Sequence, residues 1–136
     1  MSRTDSWTVV LWALAAINLA NGIWMLVRPE GWYFGIPAAV PDTGPLNLHF
    51  VRDIGSVYVT MAAALFWAGA RSTDRVPLVA MVLLFHVLHA AGHVLDTLAG
   101  RLPTRHWLID FPGVYLPMIA LAAILWLLPA RAAERR

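Results

Sequence analysis

Residues 76–99 read VPLVAMVLLFHVLHAAGHVLDTLA. A helix rises about 1.5 Å per residue, so roughly 20 apolar residues cross the ~30 Å hydrocarbon core of a bilayer. The stretch is long enough to do so. It also carries His86, His89, His93 and Asp96, spaced three, four and three residues apart. At about 100° per residue these four fall within an arc of about 80° on one helix face. Ionisable groups within a membrane span are expensive and are functional candidates by default. This face is expected to point into a helix bundle and away from lipid.

Working outward, three further segments have the length and apolarity of a span: Trp7–Val27, about Leu46–Ala70 and about Gly113–Leu128. The last has Pro117 near its start, where a missing N–H costs little. The whole chain is 60% hydrophobic and 13% charged, against about a quarter charged in soluble domains. The expected fold class is therefore all-α: an integral membrane four-transmembrane-helix bundle over a single domain, 1–136. The first segment is read as a retained helix, because it is long for a signal sequence and Val27-Arg28-Pro29-Glu30 follows it where a small-residue cleavage site would stand. No internal repeat or low-complexity tract interrupts the pattern.

The connections differ in kind. Arg71-Ser72-Thr73-Asp74-Arg75 is a short polar turn, so the second and third spans form an antiparallel hairpin. Residues 28–45 are rich in Pro and Gly yet also hold Trp32, Tyr33, Phe34 and Ile36; residues 100–112 mix Trp107, Ile109 and Phe111 with Arg101, Arg105, His106 and Asp110. Such amphipathic aromatic loops belong in the membrane interface and should cap one end of the bundle. Most of the seven tryptophans fall near span ends, as an aromatic belt would.

All ten basic residues are Arg and the net charge is +2. Scattered at span ends, they read as topology anchors, and no nucleic-acid footprint is expected. Arg3, Arg71, Arg75, Arg131, Arg135 and Arg136 fall on one side; Arg28, Arg101 and Arg105 fall on the other, with Arg52 near the membrane edge. The bias favours both termini in the cytoplasm and the aromatic loops outside, in a bacterial cytoplasmic (inner) membrane. With no cysteine, disulfides, thiolate metal sites and redox dithiols are excluded.

Polar residues recur on other spans. His49, Asp53 and Ser56 share a face of the second, with Arg52 to its side; Asn18 and Asn21 lie three apart on the first. In an alternating bundle these groups and the histidine face come to one level near the outer surface. His89, His93, His49 and Asp53 could then form a three-imidazole, one-carboxylate metal set, with His86, Arg52, Asp96, Asn18 and Asn21 supporting. Imidazole suits Fe, Cu and Zn alike, and haem is a further option. The bland alternative is an ion-pair and hydrogen-bond network that pins helices together. Gly55, Gly69 and Gly92 are expected at close helix contacts. Asp110 is expected to cap the fourth span, with reaching the polar cluster as the alternative, and His106 to be solvated.

The stretch Gly44-Pro45-Leu46-Asn47-Leu48-His49-Phe50-Val51-Arg52-Asp53-Ile54-Gly55, with Arg28-Pro29-Glu30-Gly31-Trp32-Tyr33 before it and Phe85-His86-Val87-Leu88-His89-Ala90-Ala91-Gly92-His93 after it, resembles small bacterial four-helix membrane proteins of DoxX-like layout. The resemblance implies a four-helix bundle and, in some members, association with quinone-linked sulfur oxidation. It carries over no functional residue. Three functions stay open. One is a metal or haem site in a redox or electron-transfer role, with quinone in the apolar part of a pocket beneath the aromatic loop 32–41. Another is a non-catalytic accessory subunit of a larger respiratory or photosynthetic complex, or a homo-oligomer. The third is metal-free acid–base chemistry on a lipid-like ligand, with His86 and Asp53 as the proton-transfer pair. No half-helix break suggests a transporter.

Overall fold

The computed structural model describes residues 5–133, with side chains as far as Leu128. Arg3, Arg135 and Arg136 lie outside the described residues, and so does the side chain of Arg131. Six α-helices follow in order: α1 (Ser6–Val27), α2 (Pro29–Gly35), α3 (Leu48–Ala70), α4 (Arg75–Leu98), α5 (His106–Ile109) and α6 (Leu116–Ala133). Short 3-10 turns cover Val40–Thr43 and Ser72–Asp74, and a wide π turn, Phe111–Tyr115, leads into α6. Among the described residues there is no strand. Four stretches of the described residues are long and apolar enough to cross a membrane: Ser6–Val27, Leu48–Ala70, Ser72–Leu98 and Phe111–Leu128. They coincide with the four expected spans to within about a turn.

Local chemistry sets the helix ends. Asp5 accepts the Thr8 amide at 2.8 Å and Asn47 accepts the Phe50 amide at 3.0 Å. Each carboxylate or amide oxygen satisfies one of the orphan N–H groups of a first turn. At the far end of α3 the exposed carbonyls meet Arg75. Its Nε donates to the Ala68 carbonyl at 2.9 Å, and its terminal nitrogens donate to Asp5 and to the Thr8 hydroxyl, both at 2.7 Å. Arg75 is buried. The sequence reading made it a topology anchor; the fold uses it to tie α1, α3 and α4 together. Arg75 holds the Asp5 carboxyl at about 2, against an ordinary 3.8.

α1 and α3 approach most closely. A Cβ on Gly22 would stand 2.7 Å from the Gly55 carbonyl oxygen, and one on Gly55 would stand 2.8 Å from Met25 Cβ. Gly69 likewise takes the Trp12 ring against its bare face. In lipid such contacts are a main source of helix association, since apolar tails compete equally for apolar side chains. Gly92 corrects the expectation: a Cβ there would meet nothing within 4 Å. The core draws on all four spans: Leu11 and Ala15 from α1, Met61, Leu65 and Ala68 from α3, Val79 and Val82 from α4, Leu121 and Ile124 from α6. It sits toward the Arg75 end. The opposite end, where α4 finishes and α3 begins, carries the polar residues.

Candidate functional site

α4 runs away from the Arg75 end, so its polar face climbs from His86 at mid-span to His93 near the far end. His86 is 2% exposed, and neither ring nitrogen has a hydrogen-bond partner. Phe85 packs edge-on to His86 and stacks on His89, with ring centroids 5.5 and 5.7 Å apart. The His89 and His93 rings meet edge-on at 4.7 Å. The steps of three and four residues from His86 to His93, bridged by Phe85, thus make a column of rings along the helix, as side chains one turn apart can.

His93 ends that column on a carboxylate. Its Nδ1 lies 2.7 Å from Asp110 Oδ2. The other oxygen of Asp110 lies 2.9 Å from His106 Nδ1, and His106 Nε2 lies 3.0 Å from Asp42 Oδ2. Arg105 completes the chain by pairing with Asp42. His106 and Asp110 are buried, at 0% and 3% exposure. Both sequence expectations for this pair are corrected. His106 is enclosed, because α5 turns it inward under the 3-10 turn that holds Asp42. Asp110 starts the π turn with its backbone carbonyl, which accepts the Tyr115 amide at 3.4 Å beside the Val114 amide at 2.7 Å, while its side chain makes no cap bond. The carboxylate is thereby released to the two imidazoles.

The protonation pattern follows from the partners. Carboxylates at neutral pH only accept, so an imidazole nitrogen facing one must carry hydrogen. His106 faces one on each side, an arrangement that favours its imidazolium form. Burial opposes that charge, but the bonds to Asp110 and Asp42 outweigh it and raise the His106 pKa above its ordinary value. The bonds from Arg105 and then His106 hold Asp42 below the usual carboxylate range. Arg105, Asp42, His106 and Asp110 then sum to zero charge. His93 sets Nδ1 against Asp110 and turns Nε2 away from that carboxylate, the orientation that a carboxylate imposes on basic or ligating histidines.

One nitrogen each from His93 and His106 and one oxygen of Asp110 lie within 4.8 Å of one another. Among the described residues this is the group of three or more metal-ligating side chains that the fold assembles. It shares only His93 with the expected set of His49, Asp53, His89 and His93. His89 is beside it. His49 and Asp53 pair with each other at 3.4 Å on the outer surface of α3, with side chains 88% and 58% exposed. Arg52 is exposed as well. Asp96 pairs with Arg101 at 2.7 Å, away from the histidines. Asn21 receives the Trp32 indole N–H at 2.9 Å, and Asn18 donates to the Leu14 carbonyl at 2.8 Å, leaving its own oxygen buried and unpartnered. The groove beside α2 is lined by Val27, Arg28, Pro29, Glu30, Gly31, Phe34, Leu48 and Arg52, so it holds none of the histidines.

The pairing of His106 with Asp110 had a sequence signal, their four-residue spacing just ahead of a span. Asp42 had none: it reaches the site across more than 60 residues. Comparison with protein-family models, with curated proteins and with solved structures finds no match.

Proposed function

We propose that this is a multi-pass membrane protein whose His93–Asp110–His106 cluster exchanges a proton with a ligand that reaches it from the bilayer, of the quinone or quinol class. One observation carries the reading. Asp110 takes an imidazole on each oxygen and His106 takes a carboxylate on each nitrogen, leaving the Nε2 lone pair of His93 as the available base. The charged members are neutral in sum, which makes the buried set self-consistent with protons alone. His93 sits at the end of the apolar Phe85–His89 column, so a ligand with an apolar body and a proton-bearing head would meet both. The resemblance to DoxX-like layout implies the same ligand class. A cytoplasmic-membrane location with both termini inside fits this reading.

The test uses the full chain in lipid nanodiscs and a short-chain ubiquinone, followed by quenching of tryptophan fluorescence. Saturable binding, weakened tenfold or more by His93→Ala, supports the proposal. Binding that is absent, or unchanged in that variant, overturns it.

A second reading has its own observation. Two imidazoles and one carboxylate are the donor set of many non-haem iron sites. A metal there would replace the hydrogens on the Nδ1 atoms of His93 and His106. It would also leave the neighbourhood with a net positive charge, which favours the proton reading. Elemental analysis of tag-free protein decides between them. One equivalent of Fe, Cu or Zn lost in His106→Ala supports the metal, and a Soret band would indicate haem.

A further inference from the structure

The fold gives most of its charged side chains a partner. Asp5 has Arg75, Asp42 has Arg105 and His106, Asp53 has His49, and Asp96 has Arg101. Among the described residues, the side chains of Arg28, Glu30, Arg52 and Arg71 make no hydrogen bond or ion pair. Arg71 stands alone in the turn after α3. Arg28, Glu30 and Arg52 line one groove at the opposite end of the bundle. Its level is set by the spans: Val27 ends the first and Leu48 begins the second. Val27, Phe34 and Leu48 form the apolar part of the same groove and are 71%, 65% and 42% exposed. Two guanidinia and a carboxylate, all exposed, therefore stand beside an apolar wall at the edge of the spans. In a bilayer that level is the headgroup region. Arg52 lies about 6 Å into α3 from Leu48, at 1.5 Å per residue, and its long stem lets the guanidinium rise back to the same level.

We propose that this groove binds the headgroup of an amine-bearing phospholipid, of the phosphatidylethanolamine type, drawn from the leaflet around the bundle. The guanidinia of Arg28 and Arg52 donate to the phosphodiester oxygens in charge-assisted bonds, the contact that Arg makes best. A phosphate alone would leave Glu30 facing an anion. A headgroup that carries a primary ammonium beside its phosphate gives Glu30 an opposite charge and three N–H donors. A quaternary amine has no N–H to offer, and a purely anionic headgroup supplies no cation. The two cations and one anion of the groove thus complement one headgroup class. Val27, Phe34 and Leu48 meet the acyl chains of any lipid alike, so the charges set the preference. The site shares no residue with the His93 cluster. It rests on the membrane part of the proposed function and on none of the proton chemistry.

Carbonate washing of membranes tests insertion by itself. A chain that is washed off overturns the membrane reading and this proposal with it; a chain that is retained leaves the lipid assay to judge this proposal alone. In that assay the full chain, purified in mild detergent, is offered equal amounts of phosphatidylethanolamine, phosphatidylglycerol and phosphatidylcholine, and retained lipid is counted by native mass spectrometry. Phosphatidylethanolamine should be retained in preference to both others. Arg28→Ala combined with Arg52→Ala should weaken its binding by about tenfold or more, the scale of a lost charge-assisted contact. Glu30→Gln should keep phospholipid binding and abolish the preference among headgroups. Arg71→Ala, which removes an equally free guanidinium outside the groove, should bind as the wild type does. Equal retention of the three lipids by the wild type overturns the proposal. So does a preference for phosphatidylglycerol, which needs cations alone, and so does phosphatidylethanolamine binding that survives the double Arg substitution.

Discussion

Replacing Asp110 by Asn tests the electrostatics of the cluster at its centre. The amide keeps the shape of the carboxylate but has one acceptor oxygen and one donor NH2 group. It cannot accept from both imidazoles. The existing bonds, 2.7 Å to His93 and 2.9 Å to His106, are charge-assisted contacts of about 1.5–3 kcal/mol each, against about 1 kcal/mol for a neutral one. Losing the charge should therefore cost about 2–3 kcal/mol, rising toward 3–5 kcal/mol if His106 stays charged with only Asp42 opposing it. Neutrality favours the other outcome: His106 gives up its Nδ1 hydrogen and accepts from the new amide. The pH dependence follows. In the wild type the raised pKa of His106 means its protonated form contributes stability that is fully present below about 6.5, the ordinary histidine value. That contribution is lost as pH rises through the folded-state value. The gap between wild type and Asp110→Asn should then be widest at pH 6 and shrink toward pH 9. Thermal unfolding in detergent measures it, with an expected drop on the order of 10 °C at pH 6. A gap under about 0.5 kcal/mol, within the range of an ordinary surface substitution, would refute the reasoning, and so would one that does not change with pH.

Three further outcomes are expected. Gly22→Ala forces a methyl to within 2.7 Å of the Gly55 carbonyl and should lower stability by about 1–3 kcal/mol, whereas Gly92→Ala meets open space and should be neutral or stabilising by up to about 1 kcal/mol; parallel melting curves compare them. Arg75→Ala leaves Asp5, Thr8 and the Ala68 carbonyl without their partner and should cost about 3 kcal/mol or more. The Asp5 carboxylate contributes stability above its unfolded pKa and loses it as pH falls through about 2, so the acid limb of the stability curve should flatten in that variant. His86→Leu removes two buried nitrogens that have no partner and should stabilise by about 1–2 kcal/mol; a loss of that size would mean that a bound water satisfies the ring.

The spans were legible because length and apolarity are properties of a contiguous stretch. The column from His86 to His93 was legible for a similar reason: helical periodicity relates residues that share one helix. The carboxylate at its end was legible only as an alternative. Asp110 reads first as a cap because Asp before a helix usually is one, and the π turn, with Pro112 inside it, leaves its side chain to the cluster. His106 looked solvated because it stands among Arg and Pro in a connection. What encloses it is Asp42, from a connection whose path over the bundle no periodicity encodes.

The polar face of α3 was assigned to the bundle interior on a sound general rule, that ionisable groups within spans face protein. The helix offers two seams of equal rhythm, however, and one of them carries Gly55 and Gly69. Facing α1, that seam lets backbones approach at Gly22 and makes room for the Trp12 ring at Gly69. Close packing of small residues is worth more within one chain than sheltering His49 and Asp53, since at the end of the span those two can reach each other and the interface. The intramolecular fold takes the small-residue seam, and the polar seam is left on the outer surface of α3, where His49 and Asp53 pair with each other.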